Sequence, residues 1–163
     1  IKTASCSNSY AAYRYKALKQ VGGFPVHTIF AEDVIVGGKM LIKGWKIYYV
    51  ANALAYHSHD YTLKEEFKRY FDIGVYHSTN KWLIEEFGKA DGEGFKYLKS
   101  ELRYVVKHDI LVLPKMFASI WAKFLGYKLG MRHTKLSQKQ RKAFSMHSNY
   151  WDSAITKHSE KTH

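Results

Sequence analysis

The chain has 163 residues, 46% of them hydrophobic and 16% aromatic, which suits one domain with a core and excludes a chain disordered throughout. Lys and Arg number 26 against 14 acids, a formal charge of +12, so the expected partner is a polyanion: nucleic acid, an anionic membrane face or a phosphorylated substrate. The single cysteine, Cys6, excludes an internal disulfide framework and a zinc-finger-type cluster, and reads as a small packed residue in a reducing, cytoplasmic protein.

Ile1 to Ser5 is short and partly β-like. Asn8 or Ser9 suits the N-cap of a helix running to Gln20, with Tyr10, Tyr13, Ala17, Leu18 and Val21 on one face. Gly22-Gly23 ends that helix as a left-handed cap. A loop through Phe24-Pro25 leads to Glu32, and a second helix is expected from Asp33 to Lys43, stopped by Gly44. Lys46 to Val50 reads as a strand by its β-branched and aromatic content, and Ala53 to His57 as another. Thr62 opens the next helix: in "TLKE" the Thr hydroxyl and Glu65 form a capping box, and Leu63, Phe67, Tyr70, Phe71, Gly74 and Val75 follow at helical spacing. Strand and helix thus alternate to about Ser78, an α/β pattern.

After Asn80 the pattern is helical and basic. Trp82, Leu83 and Phe87 mark a short helix and "GKADGEG" a turn. Phe95, Leu98, Leu102, Val105 and Val106 mark a further helix, and Ile110, Leu113, Phe117, Ile120, Trp121, Phe124 and Leu125 another, with Pro114 near its start where proline is tolerated. From Met131 to His163 the chain is polar and loosely patterned, apart from "FSMHSNYW". The expected organisation is 1–79, 80–131 and a polar basic tail, 132–163. Lys115, Lys123 and Lys128 interrupt Ile110 to Met131, leaving it short of the roughly 18 uncharged residues of a membrane span. Its apolar stripe suits packing on the rest of the chain or on a second copy, or lying on an anionic inner leaflet.

Three groups could carry chemistry. Glu32 and Asp33 are either helix caps, satisfying free N–H groups, or a general base aimed into a cleft from a loop-to-helix junction. His57 and His59, two apart, share one face of an extended segment and could bind a metal or a phosphate, or simply end a polar strand. Lys68 and Arg69 lie on a helix, where Arg suits bidentate phosphate contact and a solvated basic face is the ordinary alternative.

Taken in order, "SNSYAAYRYKALKQVGGF", "AEDV", "GWKIYYVANALAYHSHDY" and "FKRYFDIG" resemble the second half of the catalytic domain in inverting family 2 glycosyltransferases, which have the GT-A fold. "YKLG" (Tyr127 to Gly130) and "FSMHSNYW" (Phe144 to Trp151) are similar to the C-terminal region of bacterial rhamnosyltransferases of that family, which build O-antigen and related cell-surface polysaccharides. The resemblance implies a Rossmann-like α/β half-domain over 1–79, followed by a helical region. It implies transfer of a sugar, L-rhamnose from dTDP-rhamnose, to a saccharide or lipid-linked acceptor with inversion. Asp33 corresponds to the catalytic base and Glu32 to an acceptor-binding or base-orienting residue. Asn8 and Ser9 would line the acceptor cleft, and Arg69, with Tyr70 beside it, would approach the diphosphate. His57 or His59 would complete the shell of a divalent Mg or Mn ion. The family's Gln-x-x-Arg-Trp form is absent, since Tyr70 follows Arg69 and Glu65 precedes it.

The sequence contains no Asp-x-Asp metal motif and no Gly-rich phosphate loop, and it opens at Ile1. The expectation is therefore the C-terminal part of a longer enzyme, inactive alone, on or near the inner face of the cytoplasmic membrane. Two other classes fit the composition: a nucleic-acid-binding module, with basic residues interleaved among 13 Tyr and 9 Phe, and a non-catalytic membrane-peripheral or oligomerising module.

Overall fold

The computed structural model describes residues 4, 6–88 and 93–152. Among them are seven α-helices: α1 (Tyr15–Gln20), α2 (Glu32–Ile42), α3 (Leu63–Thr79), α4 (Lys81–Phe87), α5 (Glu93–His108), α6 (Leu113–Gly130) and α7 (Gln138–Phe144). Short 3-10 turns lie at Ile110–Val112, His133–Lys135 and Ser148–Asp152.

No strand forms among the described residues, which corrects the α/β expectation. Residues 46–50 and 53–57 are irregular and joined by a turn in which Ala53 N–H donates to the Val50 carbonyl at 3.0 Å. Among the described residues neither has a neighbour to complete a ladder, and a strand exists only through such pairing. The Tyr and Val content that suggested strands measures fit to a pleated, half-buried surface, and here Tyr48, Tyr49, Val50, Leu54 and Tyr56 are all exposed. Of the β-like opening, Ala4 is not in a strand, and 1–3 and 5 lie outside the described residues, as do residues 89–92 of the expected turn.

Local signals place the helices well where their chemistry is local. The Thr62 box forms as expected: Glu65 N–H donates to Thr62 Oγ1 at 3.3 Å and Thr62 N–H to Glu65 Oε2 at 2.9 Å. Gly22, Gly23 and Gly44 all take left-handed φ, between 78° and 85°, beyond the ends of α1 and α2. Helix α1, however, starts at Tyr15 and not beside Asn8, because Asn8 is engaged elsewhere.

Helix α3 is the hub. Phe71, Val75 and Tyr76 are buried in a core with Ile29, Ile35, Leu83 and Trp151. Its other long contact is with α6, and glycines set the distance: a β-carbon at Gly126 would meet the Phe67 carbonyl, one at Gly130 the Phe71 carbonyl, and one at Gly74 the Tyr127 carbonyl. Small residues four apart let two helix backbones touch. Lys123 adds an ion pair to Glu66 at 3.1 Å, and His77 Nδ1 lies 3.1 Å from the Tyr127 hydroxyl. Burial disfavours the Lys123 ammonium, but Glu66 outweighs it and the pKa is raised. A smaller core of Ala17, Val36 and Met40 joins α1 to α2.

Residues 132–152 are ordered against this hub. Ser137 and Gln140 form a second capping box at the start of α7. Arg141 donates from Nε to the His133 carbonyl at 2.8 Å and sits 5.6 Å from the Trp151 ring, holding the last turn against α3.

Candidate active site

A cavity of about 940 Å³ opens where the start of α2, the loop before it, the His57–His59 segment, Arg69 of α3 and residues 146–150 converge. The first turn of α2 is part of its lining. The residue before that helix, Ala31, is left-handed, with φ 56° and ψ 43°. For an alanine this costs about 1–2 kcal/mol, and such strain concentrates at functional sites. It turns the loop sharply into the helix, so that Glu32 and Asp33 open α2 at the cavity wall.

These two acids do not cap the helix in the usual way, since α2 has no side-chain N-cap bond. Asp33 Oδ1 accepts from the neighbouring Val34 N–H at 2.8 Å, and Oδ2 accepts from the Asn8 N–H at 2.9 Å. Glu32 Oε1 accepts from Asn8 Nδ2 at 3.1 Å. The Tyr13 hydroxyl donates to Asn8 Oδ1 at 2.7 Å and lies 3.2 Å from Cys6 Sγ. Asn8 is thus the clasp between residues 6–13 and the two carboxylates, which explains why α1 cannot begin there. Ser9 lines the cavity and accepts on Oγ from Ser7 Oγ at 3.2 Å.

Burial first, and the carboxylates second, make the phenols near this pair harder to ionise. Burial raises the Tyr13 pKa, and Cys6, Asp33 and Glu32 raise it further. Burial, with the Asp33 charge, pushes Tyr76 up to about 12. A phenol is neutral near pH 7 in any case, and these shifts keep both hydroxyls so well into alkaline pH, Tyr13 with its proton given to Asn8 Oδ1.

Another part of the lining, His57, His59, Phe30 and Arg69, belongs to a column of rings that Tyr61 continues. His57 and His59 meet edge to face at 4.3 Å, His59 stacks on Tyr61 at 4.9 Å, and the Arg69 guanidinium lies 5.4 Å from Tyr61 and 5.1 Å from Phe30. Arg69 also donates to the Tyr61 hydroxyl at 3.2 Å. Alternate residues 57, 59 and 61 share one side although no sheet forms, as period-two geometry requires of any extended segment. Arg69 is therefore gripped between two aromatic faces and has no carboxylate partner among the described residues. Tyr70, its neighbour, is not brought to the cavity: its ring lies 5.9 Å from Lys123 on the α6 side of α3.

Two contributions were not singled out as site features from the sequence. Residues 146–150 form part of the wall, with His147 exposed toward it. They are pinned by Asp72 of α3, which is 1% exposed and accepts on Oδ2 from the Met146 N–H at 2.9 Å. Burial raises the Asp72 pKa, while Ser145 and the Met146 and His147 amides pull it down. The available signal was an acid set within an otherwise apolar helix stripe, Phe71-Asp72 with Val75, together with the "FSMHSNYW" motif.

Among the described residues no group of three or more His, Cys, Asp and Glu is placed to hold a metal ion. His57 and His59 offer two imidazoles without an oxygen ligand, whereas Mg and Mn favour carboxylate, carbonyl and water oxygens. The described residues of this chain do not by themselves make up a divalent-metal site.

The chain is 45% identical over 152 residues to the O-antigen chain rhamnosyltransferase RfbN of Salmonella typhimurium, and 46% identical over 152 residues to the O-antigen chain rhamnosyltransferase WbaN of Salmonella anatum. Each match covers 93% of this chain and 48% of the relative, so the chain spans about half the length of the curated relatives it matches. The likeness to bacterial rhamnosyltransferases read from motif order is borne out over nearly the whole chain. No family model and no solved structure matches.

Proposed function

We propose that this chain is the acceptor side of a rhamnosyltransferase site within a longer protein, of the inverting family 2 type, acting in O-antigen synthesis at the cytoplasmic face of the membrane. The observation that carries the reading is the Glu32–Asp33 pair, set by a strained turn on the wall of the cavity and held by Asn8. The similarity to two rhamnosyltransferases supports the class of reaction.

In this reading Asp33 takes the proton of an acceptor hydroxyl as its oxygen attacks the anomeric carbon of the donor. The new carbon–oxygen bond forms as the bond to the nucleoside diphosphate breaks, and the electron pair leaves with the diphosphate. One displacement on the opposite face inverts the anomeric centre. A positioned carboxylate base contributes typically 10²–10⁴-fold. The two N–H groups on Asp33 fix its orientation yet leave lone pairs free for the proton. Glu32 and Asn8 orient the acceptor. Arg69 faces the anionic donor, dTDP-rhamnose, where a guanidinium pre-ordered by two rings meets phosphate at low entropic cost. The acceptor is a saccharide, carried on lipid. A divalent ion would need ligands from the rest of the protein, and no step here depends on one.

In the full-length protein, Asp33→Asn should reduce rhamnosyl transfer by about 10²-fold or more, with an unchanged circular dichroism spectrum. Wild-type turnover by that variant overturns the assignment. The anomeric coupling of the product, read by NMR, tests inversion separately.

A further inference from the structure

We propose that α5, α6 and the 3-10 turn between them form a docking surface for an anionic lipid bilayer, with α6 lying in the interface and not crossing it. This deepens the membrane placement in the proposed function by naming the surface that would hold it, and it rests on observations separate from the catalytic pair.

Helix α6 has two faces. Met116, Gly126 and Gly130 are buried, the two glycines against the α3 backbone. The other face presents Phe117, Trp121, Phe124 and Leu125, whose spacing gives one continuous stripe, with Trp121 66% exposed. The turn leading into it exposes Ile110, Leu111 and Val112 in succession, Leu111 to 85%. A run of large apolar side chains left in water on a folded chain marks an interaction surface.

Charge selects the occupant. Lys99, Arg103 and Lys107 recur every fourth residue on α5 and, with Leu102 and Val106, line a groove of about 430 Å³. Exposed Lys115 and Lys128 flank the α6 stripe. Residues 93–130 hold seven Lys or Arg against three Asp or Glu. Basic side chains bordering Trp, Phe and Leu are the composition of an interfacial helix on anionic lipid. A second copy meeting this face through the same surface would oppose like charges.

The same geometry decides between lying on the membrane and crossing it. Ile110–Gly130 is 21 residues long and, by length and composition, apolar enough to span a bilayer, despite the three lysines that led the sequence to suggest otherwise. Yet α6 is fastened to α3 through backbone contact at Gly74, Gly126 and Gly130 and through Lys123–Glu66. Helix α3 carries six charged residues: Lys64, Glu65, Glu66, Lys68, Arg69 and Asp72. Crossing would draw those charges into hydrocarbon or break the seam. Resting α6 flat on the headgroups keeps both.

The test is vesicle sedimentation of the full-length protein, using phosphatidylcholine alone and phosphatidylcholine with phosphatidylglycerol, at low and high salt. Binding is expected to the anionic vesicles only and to fall with salt. Leu111→Glu and Trp121→Glu should each weaken it about tenfold or more. Trp121→Phe should retain binding but lose the part of the tryptophan quenching that brominated acyl chains cause in the wild type. Equal binding to neutral vesicles, no binding to either, or salt-independent binding overturns the proposal. So does a dimer seen by light scattering that Trp121→Glu dissociates. None of these readouts requires sugar transfer, so this proposal and the catalytic one fail separately.

Discussion

Gly130→Ala probes the seam on which the whole arrangement depends. The added β-carbon would fall on the Phe71 carbonyl oxygen, 2.9 Å from its carbon and 3.0 Å from Gly74 Cα. These are backbone atoms of α3, so no side chain can rotate out of the way. The helices must part, and a gap of about 0.5–1 Å forfeits a quarter to a half of each dispersion contact along the seam. Overpacking of this kind costs about 1–3 kcal/mol, and the backbone contact here argues for the upper half of that range. Alanine's better helix propensity returns at most about 1 kcal/mol. The net expectation is a loss of about 1–3 kcal/mol. Gly94→Ala in α5 is the matched control, because nothing lies within 4 Å of the position a β-carbon would take there. It should be neutral or stabilising by up to about 1 kcal/mol. Urea unfolding followed by far-ultraviolet circular dichroism measures both. If Gly130→Ala is as stable as wild type or as Gly94→Ala, the close packing of α3 on α6 is wrong.

Further expectations concern buried titratable groups. Asp72→Ala leaves the Met146 N–H unpaired and should cost about 1–3 kcal/mol in the same assay, with Asp72→Asn much milder because its amide oxygen still accepts that bond. Burial raises the Asp72 pKa above 3.8, so the neutral form is favoured in the fold. Its contribution is fully present below pH 3.8 and is lost as pH rises through the folded value, and Asp72→Asn should gain on wild type over that rise. Burial lowers the His77 pKa below 6.5. The stability tied to neutral His77 is present above pH 6.5 and lost as pH falls through the folded value; His77→Gln should flatten a decline in unfolding midpoint that wild type shows on acidification. An identical pH profile in the variant refutes the assignment.

What the sequence determined by itself is the chemistry of near neighbours. The box between Thr62 and Glu65 and the left-handed glycines at 22, 23 and 44 follow from atoms within a few bonds of one another. The ring order His57–His59–Tyr61 follows from alternation along an extended chain, and the adjacency of Glu32 and Asp33 at a helix start from the pattern after them. Tertiary structure decided whatever needs a distant partner. Lys46–Val50 has strand-like residues but no strand alongside it among the described residues. Asn8 has a capping residue's side chain but spends it on Glu32, 24 positions away, while its backbone N–H goes to Asp33, 25 positions away. Asp72 closes the cavity wall by reaching a residue 74 positions on. Gly126 and Gly130 read as helix weakeners until α3 is laid against them. A donor, an acceptor or a missing β-carbon has no address in the sequence. Only the fold says which group it meets, because a hydrogen bond or a backbone contact acts over a few ångströms of space, whatever the separation along the chain.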